Sequence, residues 1–461
     1  MASDHDPWRT ALVAWDVASL SHGTPAQWQE RRDERLAALL EAARAAPRWR
    51  DRLQGWRARG GLEGLAPLSK GELMSDFAGW ITNPRLSLES LRAFVADPAR
   101  IGEPFDGRYI VWESSGSSGQ SGLFVQDAGA MAVYDALEGL RRPALNPLRR
   151  WLDPWYLAER IAFVGAIGGH FASTVSMRRL ARLQPGFASR SRGFDFLQPL
   201  AALVEQLNAH APTVLATYPS AALLLAEEAR AGRLRLPLAE VWTGGETLSA
   251  AVRAEIESAF SCPLADSYGA SEFLAMASSC ELGVLHLNAD WVILEPVDEA
   301  GRAVPPGTCG ARVWLTNLAN HVQPLIRYEL GDRVTLHAER CACGSPLPAI
   351  DVQGRGDDVL ELRTPRAGRV RLLPLALTTV LEERGGVLDF QLVQTGAAAL
   401  RLDLGTTHAA ADRERARAAL REWLSAQGLG AVRVTTRRVG TLVAGRSGKC
   451  KRVCAATTGA R

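Results

Sequence analysis

Several short stretches of this 461-residue chain bring residues of chemical use close together. The run "VWESSGSSGQSGLFVQD", Val111 to Asp127, packs serines and glycines into a loop between segments that read as β-strand. Glycine is costly to order. A loop whose backbone N–H groups cradle phosphate is one use for it; a plain surface turn is the other. The order strand, loop, then the helical "GAMAVYDALEGLRRPAL" would set those N–H groups at a helix N-terminus, where anions are favoured. The Walker pattern GxxxxGK[ST] does not occur.

In "ADSYGASEF", Glu272 follows a tight turn after Tyr268, Gly269 and Ser271. A carboxylate placed so could hold Mg²⁺ beside a nucleotide, because Mg²⁺ takes oxygen ligands and phosphate; a solvated turn is the alternative. In "PLIRYELGD", Asp332 could accept hydrogen bonds from two ribose hydroxyls. "GRGDD" puts Arg355 and Asp357 where the composition changes, as at a hinge. "GRSGKCKRV" carries Lys449 between small residues on a C-terminal loop, able to reach a phosphate or carboxylate or simply to be a basic tail. Cys280 and His286 in "SSCELGVLH" with Cys341 and Cys343 in "RCACG" make a thiolate and imidazole set suited to tetrahedral zinc. The C-x-C spacing is tighter than the usual C-x₂-C, and buried unlinked cysteines are the other reading. In "GAIGGHFAS", His170 follows two glycines at a strand end and reads equally as a substrate neighbour or a core histidine.

The elements that must position these residues are legible as alternation. "RIAFVGA", "PTVLATY" and "LAEVWTGGE" read as strands, each followed by a helical pattern, which implies a largely parallel sheet covered by helices. The first hundred residues read helical. From about Ala289, "DWVILEPVD", "ARVWLTNL" and "RVTLHAE" are short strands between turns and suggest a small β-rich subdomain. After "GRGDD", strand, helix and strand patterns suggest a separate α+β lobe.

The composition is that of an ordinary globular protein, with 47% hydrophobic and 22% charged residues. A net charge of +3 gives no reason to expect a nucleic-acid surface. No apolar run of about 18 residues or more occurs, so no membrane span is expected. The N-terminus lacks the basic start and apolar block of a signal peptide. Seven cysteines without a disulfide-like spacing point to a reducing, cytoplasmic setting. Lys70, Lys449 and Lys451 are the whole lysine complement. A lysine kept in such a chain is informative where a compact ammonium must enter a site.

The order Ser/Gly loop, "GGE", "YGASE", "RYELGD", "GRGDD", "SGK" resembles the adenylate-forming (acyl-CoA synthetase) superfamily, and within it the phenylacetate–coenzyme A ligase branch. The resemblance is detailed from about Pro212 to Asp358 and patchier elsewhere. It implies an α/β fold: a large N-terminal adenylate-forming domain, 1–355, with parallel-sheet βαβ layers and a small β-rich subdomain. A small mobile α+β C-terminal domain, 356–461, would carry the catalytic lysine. The implied reaction adenylates a carboxylic acid with ATP and Mg²⁺, then transfers the acyl group to coenzyme A. A carrier-protein phosphopantetheine or an amine is the alternative acceptor, and a non-catalytic nucleotide-binding relative is a further alternative. The acid implied is aromatic or similarly hydrophobic, and a homodimer is one open assembly.

By position, Ser114, Ser115, Gly116, Ser117, Ser118 and Gly119 would wrap the β- and γ-phosphates. Gly244, Gly245 and Glu246 would lie along the adenine. Tyr268, with Gly269 and Ser271, would stack near it, and Glu272 would hold Mg²⁺. Asp332 would bind the ribose, Arg355 would contact ribose or phosphate, Asp357 would be the hinge, and Lys449 would stabilise the adenylation transition state. The matching region places His170 near the acyl substrate. Relatives with a comparable Cys/His and C-x-C pairing support structural zinc on Cys280, His286, Cys341 and Cys343. One departure stands out: Gln120 occupies a position where the relatives usually carry lysine.

Overall fold

The computed structural model describes residues 4–56, 61–114, 122–143, 145–153, 156–353, 359–363, 369–387, 390–406, 408–440 and 452–455. The chain begins with the helices α1 (Pro7–Ser21), α2 (Pro25–Ala43), α3 (Pro47–Leu53), α4 (Lys70–Ser75), α5 (Phe77–Trp80) and α6 (Leu88–Val95). Their starts are written locally. Asp6 accepts from the N–H groups of Trp8 and Arg9, Thr24 with Gln27 and Ser69 with Glu72 form capping boxes, and proline opens α1, α2 and α3.

Strands β1 (Ile110–Glu113) and β2 (Leu123–Gln126) then pair antiparallel around the Ser/Gly loop. This corrects the expected order. The loop leads into a second strand, and helix α7 (Ala128–Leu140) begins only after Asp127, whose carboxylate caps it. The reason is burial: Leu123, Phe124, Val125 and Gln126 are all buried and take the ladder bonds of β1. Glu113 pairs with Leu123 at the root of the Ser/Gly run, so a strand and not a helix N-terminus follows it.

A short helix α8 (Pro147–Leu152) precedes the alternating region: β3 (Ile161–Gly165), α9 (Ala172–Leu183), α10 (Pro185–Ala188), β4 (Ser191–Asp195), α11 (Leu200–His210), β5 (Val214–Thr217), α12 (Pro219–Arg230), β6 (Glu240–Gly244), α13 (Ala250–Phe260) and β7 (Leu264–Ala270). Strands β4, β3, β5, β6 and β7 are mutually parallel in that order. The sheet then continues antiparallel through β8 (Phe273–Ser279), β9 (Leu285–Leu287), β14 (Ala349–Gln353) and β13 (Arg333–Leu336). The β-rich region is thus split. "RVTLHAE" extends the main sheet, whereas β10 (Val292–Val297), β11 (Arg312–Asn317) and β12 (Tyr328–Leu330) form a separate three-stranded sheet.

Beyond Gln353 no described strand joins the main sheet. β15 (Leu360–Arg363) and β16 (Arg369–Leu372) form a hairpin. α14 (Pro374–Thr379) runs into a π-helical turn, Val380–Arg384. β17 (Phe390–Gly396), β18 (Ala399–Leu404), α15 (Ala410–Ala426), β19 (Arg433–Arg438) and β20 (Val453–Cys454) build a lobe around a four-stranded sheet. One apolar core joins the N-terminal helices to β1, β2 and the antiparallel strands. The other joins the parallel strands and their helices to the lobe. Trp423 Nε1 and Gln427 Nε2 both donate to the Leu197 carbonyl, each at 2.7 Å, and tie the lobe to the body.

Candidate functional site

Parallel strands end on one edge of a sheet, and the crevice outside their carboxyl ends is where such sheets take ligands. Here Tyr218 follows β5, Gly244 ends β6 and Gly245 follows it, and Tyr268 lies near the end of β7. Close approach explains the glycines. A Cβ at Gly244 would stand 2.7 Å from Ser267 Oγ. Gly245 has φ +79° and would press a Cβ onto the Tyr218 ring at 3.0 Å. Glu246 is not free to follow an adenine with its carboxylate, because Oε2 accepts from Ser220 N at 2.9 Å, at the start of α12.

The β7–β8 hairpin carries the next residues. Its register shifts between Tyr268 and Ala270, and a Cβ at Gly269 would fall 1.8 Å from the Leu274 carbonyl oxygen, so the turn admits no side chain. The hairpin is pinned on both sides. Trp112 Nε1 donates to the Ser271 carbonyl at 2.8 Å, and Asn317 Nδ2 donates to the Glu272 carbonyl at 2.9 Å. The Tyr268 hydroxyl donates to Asp332 Oδ2 at 3.0 Å, joining this hairpin to the turn after β12. The Tyr268 hydroxyl is pushed well above its ordinary range by burial and by the charge of Asp332. It stays a donor.

Glu272 is 6% exposed. Burial raises its carboxyl, while the charge of Lys70, its own backbone N–H and the Tyr328 hydroxyl pull it back down. Lys70 was not assigned a role by its sequence context. It opens α4, and its Nζ donates to Ser114 Oγ at 3.1 Å, at the root of the Ser/Gly loop. Ser114 Oγ also accepts from Gly122 N at 3.0 Å, which closes the hairpin below the loop. What holds Lys70 here is a parallel bridge between Leu68 and Tyr328: Leu68 N donates to the Arg327 carbonyl, and Glu329 N to that of Leu68. Arg327 adopts φ +49°, sparsely populated for a non-glycine residue. It is over-determined by bonds from its guanidinium to Glu295 and to the Leu62 and Leu65 carbonyls. The arginine of "RYELGD" is therefore a clamp for the lysine strand. The structure thus brings together Lys70, Ser114, Tyr268, Glu272, Tyr328 and Asp332. The charge and hydroxyl pattern suits an anionic phosphate chain and a hard cation.

Other expected residues fall elsewhere. The His170 ring is buried edge-on against Phe94, at 5.6 Å, and burial lowers its basicity. Its carbonyl accepts from Glu113 N at 2.8 Å, so it contacts β1 through backbone. Ser115, Gly116, Ser117, Ser118, Gly119, Gln120, Arg355, Asp357 and Lys449 lie outside the described residues.

The cysteine and histidine set does converge. Cys280 Sγ is 4.0 Å from Cys341 Sγ, Cys343 Sγ is 3.3 Å from His286 Nε2, and the four ligand atoms all lie within 4.8 Å of one another. Tetrahedral zinc with Zn–S bonds of about 2.3 Å sets its sulfurs about 3.8 Å apart. His286 Nδ1 lies 3.0 Å from the Leu347 carbonyl, which orients the ring so that Nε2 faces the thiols. The residues fit a zinc ion that would staple the β8–β9 turn to the β13–β14 loop.

A second carboxyl group cluster sits where the lobe meets the body. Glu383 on the π-helical turn faces Gly169, whose Cβ would stand 2.8 Å from Glu383 Oε1. Burial, then the charges of Glu113, Asp195 and Glu382, push Glu383 up to about 7, with Arg384 opposing. Arg452 pairs with Glu382 at 2.5 Å.

Residues 186–320 match the family model described as AMP-binding enzyme. The search of curated proteins finds no match. Among solved structures, the chain is similar to a 2-hydroxyisobutyryl-CoA ligase bound to 2-HIB-AMP and CoA in the thioesterification state. The identity is 21%, over 93% of this chain and 90% of that one, with a TM-score of 0.56. The same ligase in an open conformation gives 22% identity over 91% and 90%, with a TM-score of 0.51. In the postadenylation state it gives 22% over 92% and 89%, with a TM-score of 0.52. The chain shares the fold of this ligase, an adenylate-forming enzyme fold, and its central segment matches the AMP-binding enzyme model.

Proposed function

We propose that this chain is an AMP-forming acid–thiol ligase. The observation that carries the reading is the buried Glu272 held between Lys70, Tyr328 and Asp332 at the root of the Ser/Gly loop. In this reading the carboxylate of the substrate attacks the α-phosphate of ATP. The bond from that phosphorus to the bridging oxygen breaks, and acyl-AMP and pyrophosphate form. The thiol sulfur of coenzyme A then attacks the acyl carbon, and AMP leaves with the bonding pair.

Lys70 would neutralise the triphosphate beside Ser114, the charge that Gln120 does not supply. Glu272 would hold Mg²⁺, whose chemistry is charge neutralisation of phosphate. Asp332, an acceptor for Tyr268, would also accept from a ribose hydroxyl. Lys449 would reach the α-phosphate from the lobe, where a preorganised donor is worth roughly 3–4 kcal/mol in the transition state. The division into 1–355 and 356–461 with Asp357 as hinge is supported by the change of sheet between Gln353 and Leu360. An aromatic or similarly hydrophobic acid is supported by Tyr218 and Phe196, whose ring centroids stand 5.9 Å apart beside the carboxyl edge. The free thiols of Cys262, Cys280, Cys309, Cys341 and Cys343 agree with a reducing, cytoplasmic setting.

The test is exchange of labelled pyrophosphate into ATP across a panel of aryl and aliphatic carboxylates. Exchange should depend on the acid and fall at least about a hundredfold in Glu272→Gln. No exchange with any acid would overturn the reading. Lys449→Ala should abolish exchange but spare thiolysis of supplied acyl-AMP. An acceptor screen with coenzyme A, a phosphopantetheine carrier and amines then fixes the second half-reaction.

A further inference from the structure

Helix α8 is built inside out. Its charged residue Arg150 is buried, with Nη2 2.6 Å from Glu159 Oε1, Nη1 donating to the Asp153 carbonyl at 2.7 Å, and the guanidinium 3.5 Å from the centre of the Tyr156 ring. Glu159 and Glu240 beside it are fully buried. Its apolar residues face water. Leu148, Trp151 and Leu152, at spacings that set them on one face, are 73%, 78% and 70% exposed. Leu157 follows at 62%, in a turn held by the Asp153 carboxylate, which accepts from the N–H groups of Leu157 and Ala158. Burying an ion network is costly, and here it fixes four large apolar side chains in solvent.

The place is the amino edge of the parallel strands, opposite the edge that carries the candidate nucleotide site. Asn146 Nδ2 donates to the Ala239 carbonyl at 2.9 Å, just before β6, and Arg150 Nε lies 3.4 Å from Glu240 Oε1. The same edge carries arginines engaged only with carbonyls or a ring. Arg160 donates to the Ala211 carbonyl at 2.9 Å, Arg235 to that of Gly232 at 3.2 Å and Arg190 to that of Tyr156, while Arg192 lies 5.1 Å from the Phe194 ring. Among the described residues none of these four makes an ion pair with a carboxylate. Burial, with the charges of Arg192 and Arg160, lowers the basicity of His210, so those two charges share one field.

We propose that this edge is a peripheral membrane-binding surface. Leu148, Trp151, Leu152 and Leu157 enter the headgroup boundary of an anionic bilayer, and Arg160, Arg190, Arg192 and Arg235 meet its phosphates. Shape and charge select this occupant. Side chains that stand so far out of a short, rigid helix need a deep matching groove in a protein partner. A lipid interface needs no matching shape, and tryptophan is favoured there. The guanidiniums without acids favour anionic over neutral lipid. The carboxyl edge stays turned to water, open to nucleotide.

Flotation of the full chain should carry it up with vesicles of phosphatidylcholine and phosphatidylglycerol in equal parts. The affinity should be at least about tenfold above that for phosphatidylcholine alone and should fall as salt is raised. Trp151→Glu/Leu152→Glu should weaken binding at least about tenfold, with unchanged circular dichroism and melting temperature, because both side chains already lie in water. Arg160→Gln/Arg235→Gln should remove most of the preference for phosphatidylglycerol. Trp8→Glu, an exposed apolar site on α1, should bind as the wild type does. A wild-type chain that floats with neither vesicle overturns the proposal. So does equal affinity for the two vesicles, binding that survives Trp151→Glu/Leu152→Glu, or an equal loss in Trp8→Glu. Self-association that depends on Trp151, without vesicle binding, would make the face a protein contact instead.

Discussion

Two groups of carboxyls lie at the carboxyl edge of the same sheet and are treated in opposite ways. Glu272 lies buried in the field of the Lys70 ammonium and Asp332 accepts from the Tyr268 hydroxyl, on elements pinned by Trp112, Asn317 and Arg327. Glu113, Asp195 and Glu383 crowd one another where the lobe touches the body, with guanidinium groups only at Glu382 and Arg384. The first arrangement fixes negative charge so that a cation or a phosphate chain can be received. The second makes contact cheap only while a proton is shared. The difference teaches that one half of the edge is cross-braced, while the other, at the parting between lobe and body, sets carboxyls against one another.

The largest expected effect is on the fixed half. Lys70→Ala should cut acid-dependent pyrophosphate exchange by about a hundredfold, mostly through KM for ATP, because Gln120 supplies no charge in its place. Lys70→Arg should recover only a part, since a planar fork does not fit a site shaped for a point charge. Equal loss in kcat with unchanged KM would remove Lys70 from ground-state phosphate binding. Next comes the staple beyond β8. Elemental analysis should find about one zinc per chain, and Cys341→Ser should lose it and lower the melting temperature by about 5–10 °C. Unchanged melting would show the cluster to be idle.

The smallest effect belongs to the parting half. The folded state holds Glu383 at about 7, above the ordinary glutamate value, so it binds more protons than the unfolded chain between those two pH values. Stability conferred there is full at lower pH and is lost as pH rises toward 7. Glu383→Gln should therefore raise the melting temperature at pH 8 by about 2–4 °C and change it little at pH 5. A shift of the same size at both pH values would show a packing effect instead.

Much of the fold was written in the chain. The parallel strands announced themselves as apolar runs followed by helices, and the glycines at Gly244, Gly245 and Gly269 mark contacts too close for a side chain. The convergence of Cys280, His286, Cys341 and Cys343 was legible because thiols and an imidazole are chemically distinctive. Lys70 was not, although its rarity and its Ser69/Glu72 capping box were both visible, because nothing local links it to Ser114 or Glu272. Strand β2 gave only four buried residues, too few for periodicity to separate it from the start of α7. The sheet's antiparallel extension depends on β13 and β14 folding back beside β9, a choice that tertiary packing makes. Glu246 adds a structural role that "GGE" did not announce: its carboxylate accepts from Ser220 N at the start of α12.

The bridge between Leu68 and Tyr328 has a consequence for how the protein is made. Arg327 reaches the Leu65 carbonyl across 262 positions of chain. Closing so long a loop is entropically costly and slow. During synthesis the bridge that steadies the segment before Lys70 cannot form until β12 has left the ribosome. The cation and carboxylate halves of the site therefore meet late, and a chain ending before Arg327 should fold its first helices yet hold no competent nucleotide site.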